Sequence, residues 1–308
     1  MPRRPAGGLK PGRPRGEAGP VALPAVPPVG IVGAGRAALA LAVALRRARV
    51  PVAWVHARRE RAVPAGVKLT WGGTPPGLGR VGVVILAVSD DGLRACAGDL
   101  ARSGGLGLGH TALHLSGALT HDVLAPLAAL GVATGSMHPL TALGSEPLAA
   151  AARFRGATFA LEGDLAAVAV ADAIVRRLRG TPVTLAPELK AVYHAGAVFG
   201  SNYVVAMVAT AARLLAQAGI APDAALTGLL ALARGTLDDV ETLGPAGALT
   251  GPAARGDLTT VRHHLAALAH ADGMLYRAVA RETVRLARAA GLSEGKAVQL
   301  EEMLRQAE

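Results

Sequence analysis

The stretch from Val29 to Ala38 reads VGIVGAGRAA and decides the fold of this chain. A short apolar run is followed by the pattern G-x-G-x-x-A, which opens an Ala- and Leu-rich segment with helical spacing. This order predicts a strand, a tight turn and a helix whose first N–H groups are unpaired. Glycines in such a turn let the backbone approach a pyrophosphate, and the positive end of the helix attracts it. The predicted phosphate-binding residues are Gly33, Ala34, Gly35, Arg36, Ala37 and Ala38.

Short apolar runs then alternate with amphipathic segments, which is typical of strand–helix units and a parallel sheet. The candidate strands are 29–32, 52–56, 67–71, 83–88, 112–116, 132–136, 158–161 and 182–185. After Pro187 the strand pattern ends and helical spacing continues to Glu308. We therefore predict an α/β protein in which a doubly wound parallel sheet of the Rossmann type precedes an all-α C-terminal domain. The predicted divisions are a disordered tail at 1–27, a dinucleotide-binding domain at 28–186 and a helical substrate-binding and dimerisation domain at 187–308.

Composition excludes several classes of protein. The 308 residues carry a net charge of +10, but aromatics are only 3% and no basic stripe is interleaved with them, so we expect no nucleic-acid partner. A single cysteine, Cys96, excludes intramolecular disulfides and fits a reducing compartment. His263, His264 and His270 lack acidic or cysteine partners at metal-binding spacing, so no metal site is expected.

Two segments bear on targeting. The first 27 residues contain no apolar run of signal-peptide length, so we expect a cytoplasmic protein. Residues 195–212 carry no charge and approach the length of a membrane span, but they contain Gly200, Ser201, Asn202 and Thr210. That content favours a buried helix of a soluble domain, with no membrane association.

The end of the second predicted strand bears on the choice of nucleotide. An acidic residue there would bind the ribose 2′-hydroxyl of NAD, but this chain places Arg58 and Arg59 after His56. A guanidinium group suits the 2′-phosphate of NADP, so NADP is favoured over NAD, although the nearby Glu60 keeps NAD open. Val88 and Ser89, after the fourth strand, are expected to lie over the cofactor.

The carboxyl edge of the sheet also carries candidate substrate ligands. His114, Ser116 and Gly117 follow the fifth strand, and His138 ends the next one. Open α/β sheets bind ligands at this edge, so we assign His114, Gly117 and His138 to substrate binding and Ser116 to catalysis. A structural turn or helix cap explains these residues equally well.

The helix predicted after Pro187 supplies the main catalytic candidates. Lys190 and His194 are four residues apart and share a face, Ser201 returns to that face further along, and Asn202 lies at its edge. Only four of the 32 basic residues are Lys, and a Lys can release a proton where an Arg cannot. Lys190, His194 and Asn202 are therefore catalytic candidates and Ser201 a substrate ligand. The alternative is a core helix whose Lys reaches solvent.

A later loop offers an anion ligand. Arg255 precedes Asp257, which is placed to cap the next helix. Arg255 could bind a substrate carboxylate through two hydrogen bonds, or the segment could be a loop and cap alone.

These motifs together resemble the Rossmann-like proteins that carry a helical C-terminal domain of unknown function, within the 6-phosphogluconate-dehydrogenase-like superfamily. The resemblance covers roughly residues 28–305 and extends to ketopantoate reductase, pyrroline-5-carboxylate reductase, prephenate dehydrogenase and deazaflavin-dependent NADP oxidoreductases. In the hydroxyacid enzymes of that group a helix supplies Lys with Asn four residues later, whereas this chain has Lys190 and then His194.

We therefore predict an NADP-dependent reductase or dehydrogenase. It would move hydride to or from a small carbonyl, hydroxy acid or imine at the interdomain cleft, while Lys190, helped by His194, moves the proton. The alternative is a nucleotide-binding sensor or partner protein without turnover. Because Ala-rich helices with apolar faces need partners, we also predict a homodimer formed through the helical domain.

Overall fold

The computed structural model describes residues 25–305, which divide into two compact units between Asn202 and Tyr203. The predicted boundary after residue 186 lies before this division. The side chains of Lys190 and Tyr193 hydrogen-bond to side chains of the sheet. These bonds attach the helix that begins at Lys190 to the first unit. The predicted tail lies outside the described residues apart from 25–27, and Val26 packs against the first core cluster.

The first unit contains one eight-stranded sheet in the order β3-β2-β1-β4-β5-β6-β7-β8. The strands are β1 Val29–Val32, β2 Val52–Ala57, β3 Leu69–Trp71, β4 Val83–Leu86, β5 Thr111–His114, β6 Ala133–Pro139, β7 Thr158–Gly163 and β8 Thr181–Thr184. The first six follow the doubly wound Rossmann order. One feature differs from the predicted parallel sheet: β6 and β7 pair antiparallel. The chain turns back after Pro139, and Leu140 N–H donates to the carbonyl of Thr158.

Helices cover both faces of this sheet. They are α1 Arg36–Arg47, α2 Asp90–Ser103, α3 Ala125–Ala128, α4 Pro147–Ala152 and α5 Leu165–Arg177, and α6 Lys190–Gly200 follows β8. Side chains alternate along each strand, so Ile31 joins the core cluster of α1 and α5 while Val32 joins that of α2. The α/β fold with a helical C-terminal region is thus confirmed, and the carboxyl ends of the six mutually parallel strands, β1 to β6, are left for the site.

The second unit is helical throughout its described residues. Its helices are α8 Pro222–Ala248, α9 Pro252–Arg255, α10 Leu258–Ala267, α11 His270–Ala289 and α12 Glu294–Arg305, and α7 Asn202–Gln217 leads into them. Its core contains Val261, Val284 and Leu300. Gly244 has non-helical dihedral angles followed by Pro245, which accounts for the kink in α8.

The apolar segment that follows Lys190 is exposed rather than buried. Among the described residues, Pro187–Gln217 is the one helical stretch that could cross a membrane by length and composition: it has 31 residues, and its most apolar window of 18 residues has a mean hydropathy of 1.4. None of its apolar window is buried, and α7 contains no buried residue. The prediction of a buried helix over 195–212 is therefore wrong for the single chain, because its residues are exposed or half-buried.

Candidate active site

The predicted phosphate-binding turn joins β1 to α1. Gly33 has a φ of +107°, and its N–H donates to the carbonyl of His56 at 2.8 Å. Side chains rarely adopt that φ, and a Cβ there would collide with the carbonyl oxygen of Ala87. Gly35 then caps α1 without a side-chain hydrogen bond, so the first N–H groups of the helix remain available to an anion.

A cleft of about 1140 Å³ lies over this turn and is called the cofactor cleft below. Its lining includes seven of the ten predicted cofactor residues: Gly33, Ala34, Gly35, Arg58, Arg59, Val88 and Ser89. Arg36 and Ala37 do not line it, and Ala38 is fully buried in the core. Ala38 is therefore corrected from a cofactor ligand to a packing residue, whose small side chain lets α1 approach the sheet.

Three guanidinium groups line the cleft after β2, because Arg61 joins Arg58 and Arg59. Glu60 lines it too. Residues 72–75 form another part of the wall, and the His56 ring holds them by bonding to Thr70 Oγ1 and to the carbonyl of Gly73, both at 2.9 Å. Sequence reasoning missed Arg61 and this wall, although Gly72-Gly73-Thr74-Pro75 has the composition of a turn after a strand.

His114 and Ser116 hold the loop after β5 in place. His114 is fully buried; its Nδ1 accepts the Ser116 N–H and its Nε2 donates to the carbonyl of Thr120, both at 3.2 Å. Burial, with the nearby charge of Lys190, lowers the pKa of His114 to about 3, so the ring is neutral. The assignment of His114 to substrate binding is therefore corrected, because both ring nitrogens are already bonded inside the core.

The Ser116 hydroxyl is also engaged. It donates to Asp90 Oδ2 at 2.9 Å and accepts the N–H groups of Ala118 and Leu119 at 3.2 and 3.0 Å. These bonds shape the turn that contains Gly117. A catalytic role for Ser116 stays a prediction, and in this structure its hydroxyl proton is directed to a carboxylate.

Lys190 is buried, with only 1% of its surface exposed, and belongs to a charged group that we call the Glu162 cluster: His121, Ser136, Glu162 and Lys190. Its Nζ donates to Ser136 Oγ and lies 3.4 Å from Glu162 Oε2. Ser136 Oγ donates to the same carboxylate at 3.1 Å, and His121 bonds to it through its ring and its N–H. Burial lowers the pKa of Lys190, and the Glu162 carboxylate opposes that shift.

His138 and His194 approach each other beside Gly117. Their ring centroids are 6.0 Å apart at an interplanar angle of 81°, and His138 Nδ1 lies 2.8 Å from the hydroxyl of Tyr193. A Cβ at Gly117 would lie 2.6 Å from His194 Nδ1 and 2.8 Å from His138 Nε2. The structure therefore brings together Gly117, His138 and His194 from the predicted set. Tyr193 was missed as a site residue, although the sequence places it next to His194.

Ser201 and Asn202 do not join this group. Ser201 has φ −130° and ψ −73°, which ends α6, and Asn202 begins α7 with its side chain exposed. The prediction that one helix after Pro187 carries Lys190 and Ser201 on a common face is therefore wrong. Gly200 favours a helix poorly, and Ser and Asn side chains favour helix ends.

Arg255 ends α9 in the second unit, where its carbonyl accepts a bond from Lys296 Nζ at 3.3 Å. Its role as a carboxylate ligand stays a prediction. Asp257 caps α10 as expected, since its Oδ1 accepts the Thr260 N–H at 3.0 Å. Within residues 25–305 there is no group of three or more His, Cys, Asp or Glu residues that could hold a metal ion.

Two family models match the sequence. Residues 17–139 match the Rossmann-like domain, and residues 157–283 match a domain of unknown function, DUF2520. The chain therefore combines a Rossmann-like domain with a C-terminal DUF2520 domain, as the resemblance implied. Among curated proteins, none matches the sequence.

Solved structures share the fold. A candidate NADP oxidoreductase from Bacteroides fragilis is 23% identical, with a TM-score of 0.63 over 86% of this chain and 98% of that one. A protein from Thermotoga maritima is 21% identical, with a TM-score of 0.63 over 85% and 98%. Plasmodium falciparum pyrroline carboxylate reductase, solved with NADP bound, is 11% identical, with a TM-score of 0.59 over 90% and 98%.

Proposed function

We propose that this protein is an NADP-dependent oxidoreductase that transfers hydride to or from a small carbonyl, hydroxy acid or imine. The observation that carries the proposal is the cofactor cleft. It begins at a turn that only glycine fits, at Gly33, and contains three arginines after β2. A volume of about 1140 Å³ exceeds that of most small-ligand pockets and suits a dinucleotide.

The residues present fit that cofactor. The N–H groups at the start of α1 would hold the pyrophosphate, and Arg58 and Arg59 would hold the 2′-phosphate, where an Asp or Glu would instead select NAD. Val88 and Ser89 would line the cleft beside the bound cofactor. When bound, the nicotinamide supplies or accepts the hydride; the protein binds and orients it and moves the accompanying proton.

The names of the structural neighbours support the same class. One is the Plasmodium reductase with NADP bound. Another is a reductive aminase from Aspergillus terreus in complex with NADPH4, cyclohexanone and allyl amine, 17% identical with a TM-score of 0.52 over 91% of this chain and 92% of that one. These names favour a carbonyl or imine as the substrate.

Calorimetric titration tests the cofactor. NADPH should bind at least about tenfold more tightly than NADH, a difference of about 1.4 kcal/mol. The double variant Arg58→Ala/Arg59→Ala should remove that preference, whereas Arg155→Ala, an exposed arginine outside the cleft, should preserve it. Equal affinities in the wild type would contradict the 2′-phosphate assignment.

An absorbance assay tests the reaction. It follows the consumption of NADPH with a panel of small ketones, keto acids and cyclic imines, and the formation of NADPH from NADP⁺ with hydroxy acids. Turnover of at least one compound is expected. Tight NADPH binding without any turnover would favour a nucleotide sensor. One observation favours this second function: the Ser116 hydroxyl and the Lys190 ammonium already donate hydrogen bonds within the protein.

The same proposal includes self-association through the second unit. Apolar side chains are exposed on α7 and α8, including Val205, Leu226, Leu232 and Leu237. The single charge on α7, Arg213, is paired with Asp272 at 2.8 Å, so the helix presents little charge to oppose a second copy. An uncharged apolar face is complementary to itself in a two-fold dimer. Light scattering should give twice the 30.9 kDa chain mass, and Leu232→Glu/Leu237→Glu should reduce it.

A further inference from the structure

The imidazole pair of His138 and His194 lies against Gly117, at the carboxyl edge of the sheet where the proposed reaction would occur. Neither ring could keep this position if residue 117 had a Cβ, because that atom would lie 2.6 and 2.8 Å from their nitrogens. A glycine after β5 therefore creates the space in which two imidazoles from different elements, β6 and α6, meet.

One nitrogen of this pair lacks a partner among residues 25–305. His194 Nδ1 is buried and makes no hydrogen bond in the structure. Buried polar atoms nearly always have a hydrogen-bond partner, so this nitrogen is expected to bond to an atom outside the chain, either a water or a ligand oxygen or nitrogen.

The other imidazole is connected to a hydroxyl. His138 Nδ1 lies 2.8 Å from the Tyr193 hydroxyl, and the two rings are in edge contact with centroids 5.6 Å apart. A neutral imidazole can donate a proton from one nitrogen while it accepts one at the other. His138 therefore has the bonding needed to pass a proton between Tyr193 and an atom near Gly117.

The surrounding groups keep His138 neutral. Those that face it are His194, Tyr193 and Lys190 on α6 and His114 on β5, with Glu162 on β7 paired to Lys190. Burial, His194 and the Lys190 charge lower the pKa of His138 to about 4, so at pH 7 the ring acts as a neutral donor and acceptor.

Lys190 is poorly placed to transfer the proton itself. Its ammonium is enclosed by Ser136 and Glu162, with 1% of the residue exposed. An ammonium in that position acts on the imidazole pair through its charge rather than by touching a substrate.

We infer that His138 and His194 are the catalytic pair of the proposed reaction, with Tyr193 and Lys190 as positioning residues. In reduction, hydride adds to the substrate carbon while the Nε2–H bond of His138 breaks and its proton bonds to the substrate oxygen or nitrogen. His138 Nδ1 takes the Tyr193 hydroxyl proton, and the tyrosine oxygen takes a proton from a water molecule, whose hydroxide is neutralised in the bulk solvent. His194 Nδ1 hydrogen-bonds the same substrate atom, and oxidation reverses each transfer. This inference rests on the proposed function.

Nitrogen-15 spectra of histidine-labelled protein test the pair without a substrate. The His138 ring should remain neutral near pH 6, and both His194→Gln and Lys190→Met should raise its pKa by about one unit, because each removes a group that disfavours the charged ring. Tyr193→Phe should change the population of its two neutral forms. An unchanged His138 titration in His194→Gln and in Lys190→Met would overturn the inference.

Steady-state kinetics with the most active compound of the panel tests the roles of His138, His194 and Lys190. His138→Gln and His194→Gln should lower kcat by about 10² to 10⁴, and Gly117→Ala should do the same by displacing both rings. Gly144→Ala, where an added Cβ meets no atom within 4 Å, and His263→Gln, on the surface, are the matched controls. Lys190→Met should shift the pH profile of kcat with a smaller loss at its optimum.

The outcomes separate the two proposals. NADPH affinity should stay within a few fold in all these variants, because none lies in the cofactor cleft. Turnover that survives both histidine substitutions overturns the catalytic pair alone. The catalytic pair is also overturned if Lys190→Met lowers kcat at every pH by as much as, or more than, the two histidine substitutions do. NADPH binding without turnover in the wild type overturns the proposed function, and the pair's role with it.

Discussion

The cofactor cleft and the Glu162 cluster lie along the same edge of the sheet but are built in opposite ways. The cleft takes its anion-binding groups from the backbone of one short turn and from exposed arginines just after β2. The Glu162 cluster uses side chains from four segments, of which those of Ser136, Glu162 and Lys190 are buried, and its bonds join residues 28, 41 and 54 positions apart. A backbone site is a local property of sequence, whereas a buried ionic site depends on the whole fold.

The two regions should therefore respond differently to substitution. Backbone N–H groups cannot be removed by changing a side chain, so the turn after β1 should lose function mainly through steric blockage. The Glu162 cluster holds charges away from water, and removal of one partner leaves the other uncompensated.

Glu162→Gln should give the largest effect on stability. Glutamine keeps the shape but leaves the Lys190 ammonium buried without its counter-charge, which costs about 3–5 kcal/mol of unfolding free energy. Urea denaturation followed by circular dichroism measures this loss. The double variant Glu162→Gln/Lys190→Met should recover a good part of it, because no unpaired charge then remains.

Asp99→Asn is the matched control for this carboxylate. Asp99 also pairs with a basic side chain, Arg102, but both are about three-quarters exposed. Exposed pairs of this kind contribute at most about 1 kcal/mol. A similar loss in both variants would show that burial does not distinguish the two sites.

The same contrast explains which features the sequence predicts. The strand–turn–helix around Gly33 is one continuous stretch of sequence, and so are the arginines after β2. A local pattern therefore suffices to predict each of them. Glu162 has no such signal: it lies in an apolar run, and only the antiparallel pairing of β7 with β6 brings it opposite Ser136. Lys190 was found because Lys is rare in this chain, yet its partner and its burial depend on contacts that no local pattern encodes.

Acidification should cause the second-largest loss of stability, through the buried His114. The pKa of His114 is about 3 in the folded protein against 6.5 as its ordinary value, so between these values the unfolded chain binds more protons. Stability therefore falls as the pH is lowered from 6.5 toward 3, by up to about 1.4 kcal/mol per pH unit from this group. His114→Gln should flatten the dependence measured by urea denaturation at pH 7 and pH 4. His263→Gln, an exposed histidine, should leave it unchanged.

The smallest expected effect on stability, and the sharpest test of the cleft, comes from its two glycines. Gly33→Ala forces an unfavourable φ and a collision with the Ala87 carbonyl, which should cost about 1–3 kcal/mol of stability and also weaken NADPH binding. Gly35 has a φ of −76° and no atom within 4 Å of an added Cβ, so Gly35→Ala should leave the unfolding free energy nearly unchanged. Its methyl group would still hinder the approach of a pyrophosphate to the turn, and NADPH affinity should fall by about tenfold or more. Separate measurement of urea midpoints and NADPH affinity, with Gly144→Ala as the control, distinguishes a glycine that the fold needs from one that the ligand needs. If Gly35→Ala binds NADPH as the wild type does, the pyrophosphate does not lie against this turn.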